Sequence, residues 1–348
     1  MPGIAFYLSC FYRRQELLFR IGIFVSAASM AGAFGGLLAT GLSWRNIFFF
    51  EGLITMILGV VSPWLMATKP EECSFLTERE RFIAAERLYL EHKANPNEKV
   101  QMHHIKMAIF NVNNNVCALG FFLINITVQS ISLFMVRTRP QACRRLQDLT
   151  NPFKPTLLAD LGWTATKAQL HTVPPYVLAC LVAILVAFVS DRTRQRGMWL
   201  ALFAPIGIIG FAVLRADVSA NIKYMAVFFV TIGAFPGGPA FLSWGLNNSA
   251  GPAVRAVAGA YIPSVGTLGA VVATWTYLPR DAPRYPIGHS INLAAQALAL
   301  FLALFGIAYI VWENRQRAQG KRDHRVEGKS DEEVADLGYR HPEFRYIP

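Results

Sequence analysis

The sequence predicts an all-α, polytopic membrane protein, and three observations lead there. Hydrophobic residues make up 53% of the 348 and charged residues only 16%, with a mean hydropathy of +0.34. A soluble domain is closer to a quarter charged. The apolar residues gather in blocks of about 18 or more, the length at which a helix crosses the hydrocarbon. The Lys and Arg behind the net charge of +11 lie between these blocks. That is how a multi-span membrane protein distributes them, so nucleic acid is not the expected partner; the lipid bilayer is.

Eight full spans are expected, at residues 21–42, 44–67, 107–135, 173–189, 198–214, 222–244, 256–278 and 287–311. Residues 1–12 are apolar but too short to cross, and Arg13 and Arg14 follow them instead of preceding them, so they do not form a signal peptide. They read either as an interfacial segment or as the tail end of a span. Gly and Pro within the spans are tolerated better than in soluble helices.

Orientation follows from the loops. Arg13, Arg14 and Arg20, then the basic residues of 69–106, then Arg192, Arg194 and Arg196, then Arg255, then the basic residues of 315–329 alternate with loops poorer in Lys and Arg. They share one side, the cytoplasm. One opposite loop breaks the trend, with Arg137, Arg139, Arg144, Arg145 and Lys154.

The organisation is then a partial N-terminal helix bundle at 1–67, a cytoplasmic linker at 68–106, a C-terminal six-helix bundle at 107–312 and a cytoplasmic tail at 313–348. In the linker, 77–92 reads as an amphipathic helix. Thr77 and Glu80 make a capping box, with Phe82, Ala85, Leu88 and Leu90 as apolar positions. His103 and His104 are neighbours and point to different faces, which suits a solvated basic loop better than a metal site. The tail is charged and poor in apolar residues, so it is expected to be mobile.

No enzyme constellation is present: no P-loop, dinucleotide glycine fingerprint, nucleophile elbow or zinc-helix signature. The five cysteines are scattered without short spacings, which gives neither a disulfide framework nor a zinc site. No catalytic residue, cofactor or metal is expected. Asn125-Ile126-Thr127 matches a glycosylation acceptor but lies inside a span.

Polar residues inside spans are costly and face a cavity or another helix. Asn125, Gln129 and Ser132 fall at i, i+4 and i+7, one helical stripe. Trp244, Asn247 and Asn248 end the sixth span, and Tyr261 and Ser264 lie in the seventh. These eight are the substrate-cavity candidates; interhelical hydrogen bonding is the competing role. Glu51 is the lone acid well inside a span, a proton-site candidate or a partner for Arg45 or a helix end. Gly32 with Gly36, and Gly233 with Gly237, have small-xxx-small spacing for close helix packing. Residues 235–239, Phe-Pro-Gly-Gly-Pro, interrupt the sixth span, as suits a gating or cavity-lining helix. In the loop 190–197, Asp191 with Arg192 and Arg196 forms a candidate conformational latch, or simply a set of topology-fixing charges.

Several stretches together resemble the major facilitator superfamily, and within it the fungal anion:cation symporters related to allantoate and nicotinate permeases. They are Phe11-Tyr12-Arg13-Arg14-Gln15-Glu16-Leu17 with Arg20-Ile21-Gly22, Gly32-Ala33-Phe34-Gly35-Gly36-Leu37-Leu38, Trp44-Arg45-Asn46-Ile47-Phe48 with Glu51-Gly52, and Phe75-Leu76-Thr77. Val173-Pro174-Pro175-Tyr176, Ser190-Asp191-Arg192, Asn247-Asn248, Asp281-Ala282-Pro283-Arg284-Tyr285 and the ending Leu337-Gly338-Tyr339-Arg340-His341-Pro342 complete the set. The resemblance implies twelve helices in two bundles, a central cavity and alternating access, with a small organic anion and protons as partners of a monomeric carrier, in the plasma membrane. A nicotinate-, allantoate- or other vitamin-like carboxylate is the implied substrate class. It also implies that three helices precede Met1 in the family pattern, so that the chain reads as a truncated member with about eight full helices and a partial one. A non-transporting remnant is the competing reading.

The chain is shorter than the family pattern around 41–44, as if residues were deleted there, and the pattern lacks a counterpart of 136–154. Every valine codon begins GT, a lysine codon can end in AG, and Leu149-Thr150 can encode a branch sequence. With its basic residues on the wrong side, 136–154 reads as a retained intron; a true external loop is the alternative.

Overall fold

The computed structural model describes residues 2–12, 17–41, 44–65, 67, 73, 76–92, 101–136, 170–193, 195–278, 281, 284–328, 334 and 337–348. Among them there are twelve α-helices, two short 3₁₀ turns and no strand. The helices are α1 (Pro2–Phe11), α2 (Leu17–Gly41), α3 (Trp44–Leu65), α4 (Glu78–His92), α5 (Met102–Ile109) and α6 (Val112–Val136). After them come α7 (Val173–Thr193), α8 (Arg196–Arg215), α9 (Ala220–Ala234), α10 (Gly237–Asn247), α11 (Pro252–Thr274) and α12 (Pro286–Ala318). Most of the 136–154 segment and the 42–43 junction lie outside the described residues.

Seven helical runs are long and apolar enough to cross a membrane, from Arg45–Trp64 to Pro286–Ala318. They match seven of the eight expected spans. The eighth falls on α2, whose apolar stretch is Phe19–Gly35. Two boundaries differ from expectation. The span expected from 107 begins at Val112, because the chain turns at Phe110 and Asn111 and leaves α5 as a separate short helix. Asn111 causes the break: its Oδ1 accepts from the Asn113 amide at 3.0 Å and starts a new helix. The last helix runs past 312 to Ala318, with Arg315 and Arg317 complementing its C-terminal dipole.

The sixth expected span is broken where proline demands it. α9 stops at Ala234, Phe235 and Pro236 form a turn, and α10 starts at Gly237. The glycines here set helix distances. A Cβ on Gly233 would strike the backbone of Gly207 on α8, and one on Gly237 would lie 2.8 Å from Ile124 on α6. A Cβ on Gly32 of α2 would lie 3.5 Å from the Tyr176 ring.

Packing centres on α6, which lies against α10, α11 and α12, while α8 bridges α9 and α12. Two buried clusters follow. One gathers Phe121, Phe241, Trp244, Ile262 and Ile310. The other gathers Phe134, Tyr176, Phe211, Tyr277 and Tyr285. α2 packs along α7, and α1 against α11. α3 differs: none of its span is buried, and Phe48 and Trp64 are 70% and 79% exposed.

The linker helix begins as its capping box dictates. The Glu80 carboxylate accepts from the Thr77 backbone N–H and hydroxyl, both at 2.9 Å, and the Glu80 amide donates to Thr77 Oγ1 at 3.4 Å. These bonds from Thr77 hold Glu80 below its ordinary value of 4.5. A depressed carboxylate stabilises the fold above its unfolded pKa and loses that contribution as pH falls through the folded value. The first turn of α4 is therefore expected to lose amide-exchange protection, corrected for intrinsic rate, as pH drops below 4.5. Glu80→Ala should remove both the protection and its pH dependence, and Thr77→Ala only part of each, because the backbone N–H of residue 77 remains a donor; unchanged exchange in the Glu80→Ala variant would refute the cap. Of the apolar positions expected beside it, Phe82 is 69% exposed and Ala85 half-buried; the side chains of Leu88 and Leu90 lie outside the described residues.

The tail departs most from expectation. It folds back and docks instead of remaining mobile. Asn314 and Tyr346 exchange two hydrogen bonds, Nδ2 to the Tyr346 carbonyl at 2.9 Å and the Tyr346 amide to Oδ1 at 3.0 Å. Tyr339 and Tyr346 are buried, and Arg317 donates to the Phe344 carbonyl at 2.7 Å. A few aromatic anchors and buried donors hold a segment whose average composition is polar.

Candidate functional site

The candidate residues separate into three places. The first is the stripe on α6. Asn125 donates its Nδ2 hydrogen to the Gly266 carbonyl of α11 at 3.0 Å. This tie forms because Gly266 brings the α11 backbone close: a Cβ there would overlap the Phe121 ring. Ser132 accepts from the Tyr176 hydroxyl of α7 at 3.3 Å. Gln129 is exposed, one turn from Asn125, as is Leu133 one turn further on, while α10, α11 and α12 pack against other parts of the helix. Ser264 of α11 is also exposed.

Tyr261 does not share that space as expected. Its hydroxyl donates to Asn115 Oδ1 at 2.8 Å. Asn115 lies ten residues before Asn125, roughly 15 Å along the helix at 1.5 Å per residue. The sequence reading missed Asn115, and with it Asn114, which accepts from Ser249 at 3.2 Å. The signal was there: four asparagines within residues 111–115, at the mouth of an apolar span.

The second place is the end of α10. Trp244, Asn247 and Asn248 are fully buried, and two of them clasp the tail. Trp244 Nε1 and Asn248 Nδ2 both donate to the Ile347 carbonyl, at 2.9 and 3.0 Å, and Asn248 Oδ1 accepts from the Ile347 amide at 2.8 Å. Trp244 and Asn248 thus spend their polar groups on the tail, with Asn247 buried beside them. Asn248 is matched to a backbone amide and carbonyl about a hundred residues on, a pairing with no local signature.

The third place is the latch. Asp191, near the end of α7, accepts from Arg196 Nη2 at 2.9 Å and from the Phe19 backbone amide of α2 at 2.7 Å. Phe19 lies in the first turn of α2, whose amides have no intrahelical acceptor and favour an anion. The pair is buried, with Arg196 3% and Asp191 11% exposed. Arg192 is exposed and outside this pair. Glu51 is exposed on α3 and apart from all three places. Among the described residues no cluster of His, Cys, Asp and Glu could hold a metal ion.

A sequence model of the Major Facilitator Superfamily matches residues 1–274. The chain belongs to this superfamily. It is 29% identical over 336 residues to the MFS-type transporter efuF of Hormonema carpetanum, covering 92% of this chain and 64% of that one. It is 26% identical over 357 residues to the major facilitator-type transporter hxnP of Emericella nidulans, covering 99% and 68%. It is 26% identical over 358 residues to the high-affinity nicotinic acid transporter of Saccharomyces cerevisiae, covering 99% and 63%. The chain thus spans about two thirds of the length of these superfamily members, and less of some.

The fold is similar to that of the E. coli fucose:proton symporter FucP, with a TM-score of 0.57 at 13% identity, over 88% of this chain and 72% of that one. The superfamily's members are carriers and not enzymes, as expected, and the apolar helices make this chain an integral, multi-pass membrane protein. Asp191 sits where α2 packs along α7.

Proposed function

We propose that the protein carries a small organic anion across the plasma membrane together with protons, by alternating access. The observation that carries this reading is Gln129. A primary amide stands exposed in the middle of an apolar span, one turn from Asn125 and near the hydroxyls of Ser132 and Tyr176. A polar group at that depth is costly against lipid and suits an aqueous cavity. Amides and hydroxyls can hydrogen-bond a carboxylate without burying a second charge. Similarity to a nicotinic acid transporter supports a nicotinate-, allantoate- or other vitamin-like carboxylate. Likeness of fold to a proton symporter supports proton coupling, with Glu51 as the proton-site candidate. The carrier acts as a monomer in this reading. Asp191, binding Arg196 and the start of α2, holds the cytoplasmic side closed.

The test is uptake of labelled nicotinate and allantoate by cells lacking their own carriers. Gln129→Ala should raise KM roughly fivefold, the loss of about one hydrogen bond, with surface expression unchanged. Asn125→Ala should do less, because its amide already ties α6 to α11. Expression lost with KM unchanged would reject the site. One observation favours a second reading, a membrane remnant that does not transport: the span of α3 is entirely unburied. Uptake no greater than in empty cells would favour that reading.

A further inference from the structure

The end of α12 builds a cavity, remote from Gln129, where the docked tail closes over it. Its volume is about 480 Å³, within the roughly 300–1,000 Å³ typical of small-molecule sites. Arg317, Arg322, Arg325 and Arg340 line it, and Glu313 is the one carboxylate among the lining residues. Glu313 is 4% exposed and is shared three ways: Arg317 Nε at 3.1 Å, Arg322 Nη2 at 2.7 Å and Arg325 Nη1 at 3.8 Å. Four guanidinium groups around one carboxylate leave the cavity strongly cationic.

The arginines are held in place. Arg317 lies over the Tyr346 ring at 4.7 Å and Arg322 over the Trp312 ring at 5.6 Å. The Arg322 Nη2 is held by Glu313 while its Nε is buried without a hydrogen-bond partner. The rim is apolar and faces outward: Phe110 is 70%, Trp312 50% and Val112 40% exposed. These residues stand at the ends of two membrane-crossing helices, on the side that the basic loops mark as cytoplasmic.

We propose that this cavity binds the phosphorylated headgroup of an anionic lipid of the cytoplasmic leaflet, its acyl chains lying along Phe110, Val112 and Trp312. Planar guanidinium forks match phosphate oxygens two at a time. Basic pockets at the cytoplasmic ends of spanning helices suit such headgroups. The apolar rim favours a lipid over a free phosphate compound, which has nothing to place there.

The test uses the full chain purified in detergent, with dioctanoyl phosphatidylinositol 4,5-bisphosphate as probe and binding read by native mass spectrometry or thermophoresis. Inositol trisphosphate and dioctanoyl phosphatidylcholine serve as headgroup-only and neutral-lipid arms. The bisphosphate lipid should bind tightest, with a salt-sensitive affinity. Arg340→Gln, at an exposed residue that makes no bond to Glu313, should weaken it without lowering the melting temperature. Arg325→Gln with Arg340→Gln should weaken it roughly tenfold or more. Phe110→Ser should weaken the lipid but not the trisphosphate. Arg215→Gln, at the opposite end of α8, should change nothing. Trisphosphate binding as tight as the lipid would overturn the lipid assignment. Unchanged affinity in the Arg340→Gln variant, or an equal loss in Arg215→Gln, would overturn the site.

Discussion

Asp191→Ala is expected to destabilise the protein by ~3–5 kcal/mol, the cost of removing one partner of a buried ion pair. The Arg196 side chain is 3% exposed, so removing Asp191 takes an ion-pair partner from a buried charge. The Phe19 amide at the start of α2 loses its acceptor in the same step. Both effects act at one point, which is why the loss should exceed that of an ordinary surface pair. The measurement is thermal melting in detergent, with a cross-link between α2 and α7 reporting their contact. Asp191→Ala should lower the melting temperature and reduce the cross-link. Adding Arg196→Met to Asp191→Ala should recover part of the stability, because the buried charge is gone, but not the cross-link. Arg192→Ala, at an exposed residue, should stay within about 0.5 kcal/mol of the parent. A single variant Asp191→Ala that melts with the parent would show that the pair carries no weight.

Gly233→Ala should be nearly as damaging, and its neighbour should not be. The added Cβ on Gly233 would overlap the Gly207 amide and Cα and come within 3.0 Å of the Phe203 carbonyl. All three are backbone, so no rotamer change relieves the contact and α8 and α9 must separate. Overpacking in a well-filled interior costs about 1–3 kcal/mol where side chains can yield; here the upper end or more is expected. Gly207→Ala faces the same helix pair, yet its Cβ would meet the Gln296 amide at 3.4 Å and the Gly233 Cα at 3.6 Å. These are ordinary contacts, so it should be tolerated. Size-exclusion profiles and melting curves of the two variants give the comparison. Equal behaviour would mean that the crossing of α8 and α9 is looser than described.

The membrane character and the positions of the spans were legible because they rest on local quantities. A run of apolar residues crosses the hydrocarbon wherever it occurs, and a proline breaks a helix wherever it sits. The break at Phe235 and Pro236, the cap at Thr77 and Glu80, and a polar stripe on α6 all follow from neighbours within one or two turns. The start of the third span was misplaced because Asn111 turns the chain with its own side chain, a short-range competitor of the helix that an average over hydropathy smooths away.

The candidate site was legible only in part. The spacing of Asn125, Gln129 and Ser132 put them on one stripe, but only the fold shows that Asn125 reaches the α11 backbone at Gly266 while Gln129 is left open. Trp244 and Asn248 looked like cavity residues because an aromatic and an amide at a helix end look the same whether they meet a ligand or the protein's own chain. Their partner is Ile347, some hundred residues away. The tail was misjudged for a related reason: composition averages over a segment, whereas docking depends on a few residues, here Tyr339, Tyr346 and the Asn314 side chain. Sequence by itself determined what must be buried or spanned, because transfer from water is a property of each residue and its near neighbours. Tertiary structure alone decided which polar groups are satisfied within the protein and which remain open, because a hydrogen bond needs two groups within about 3 Å and that distance is set by helix packing across the whole chain.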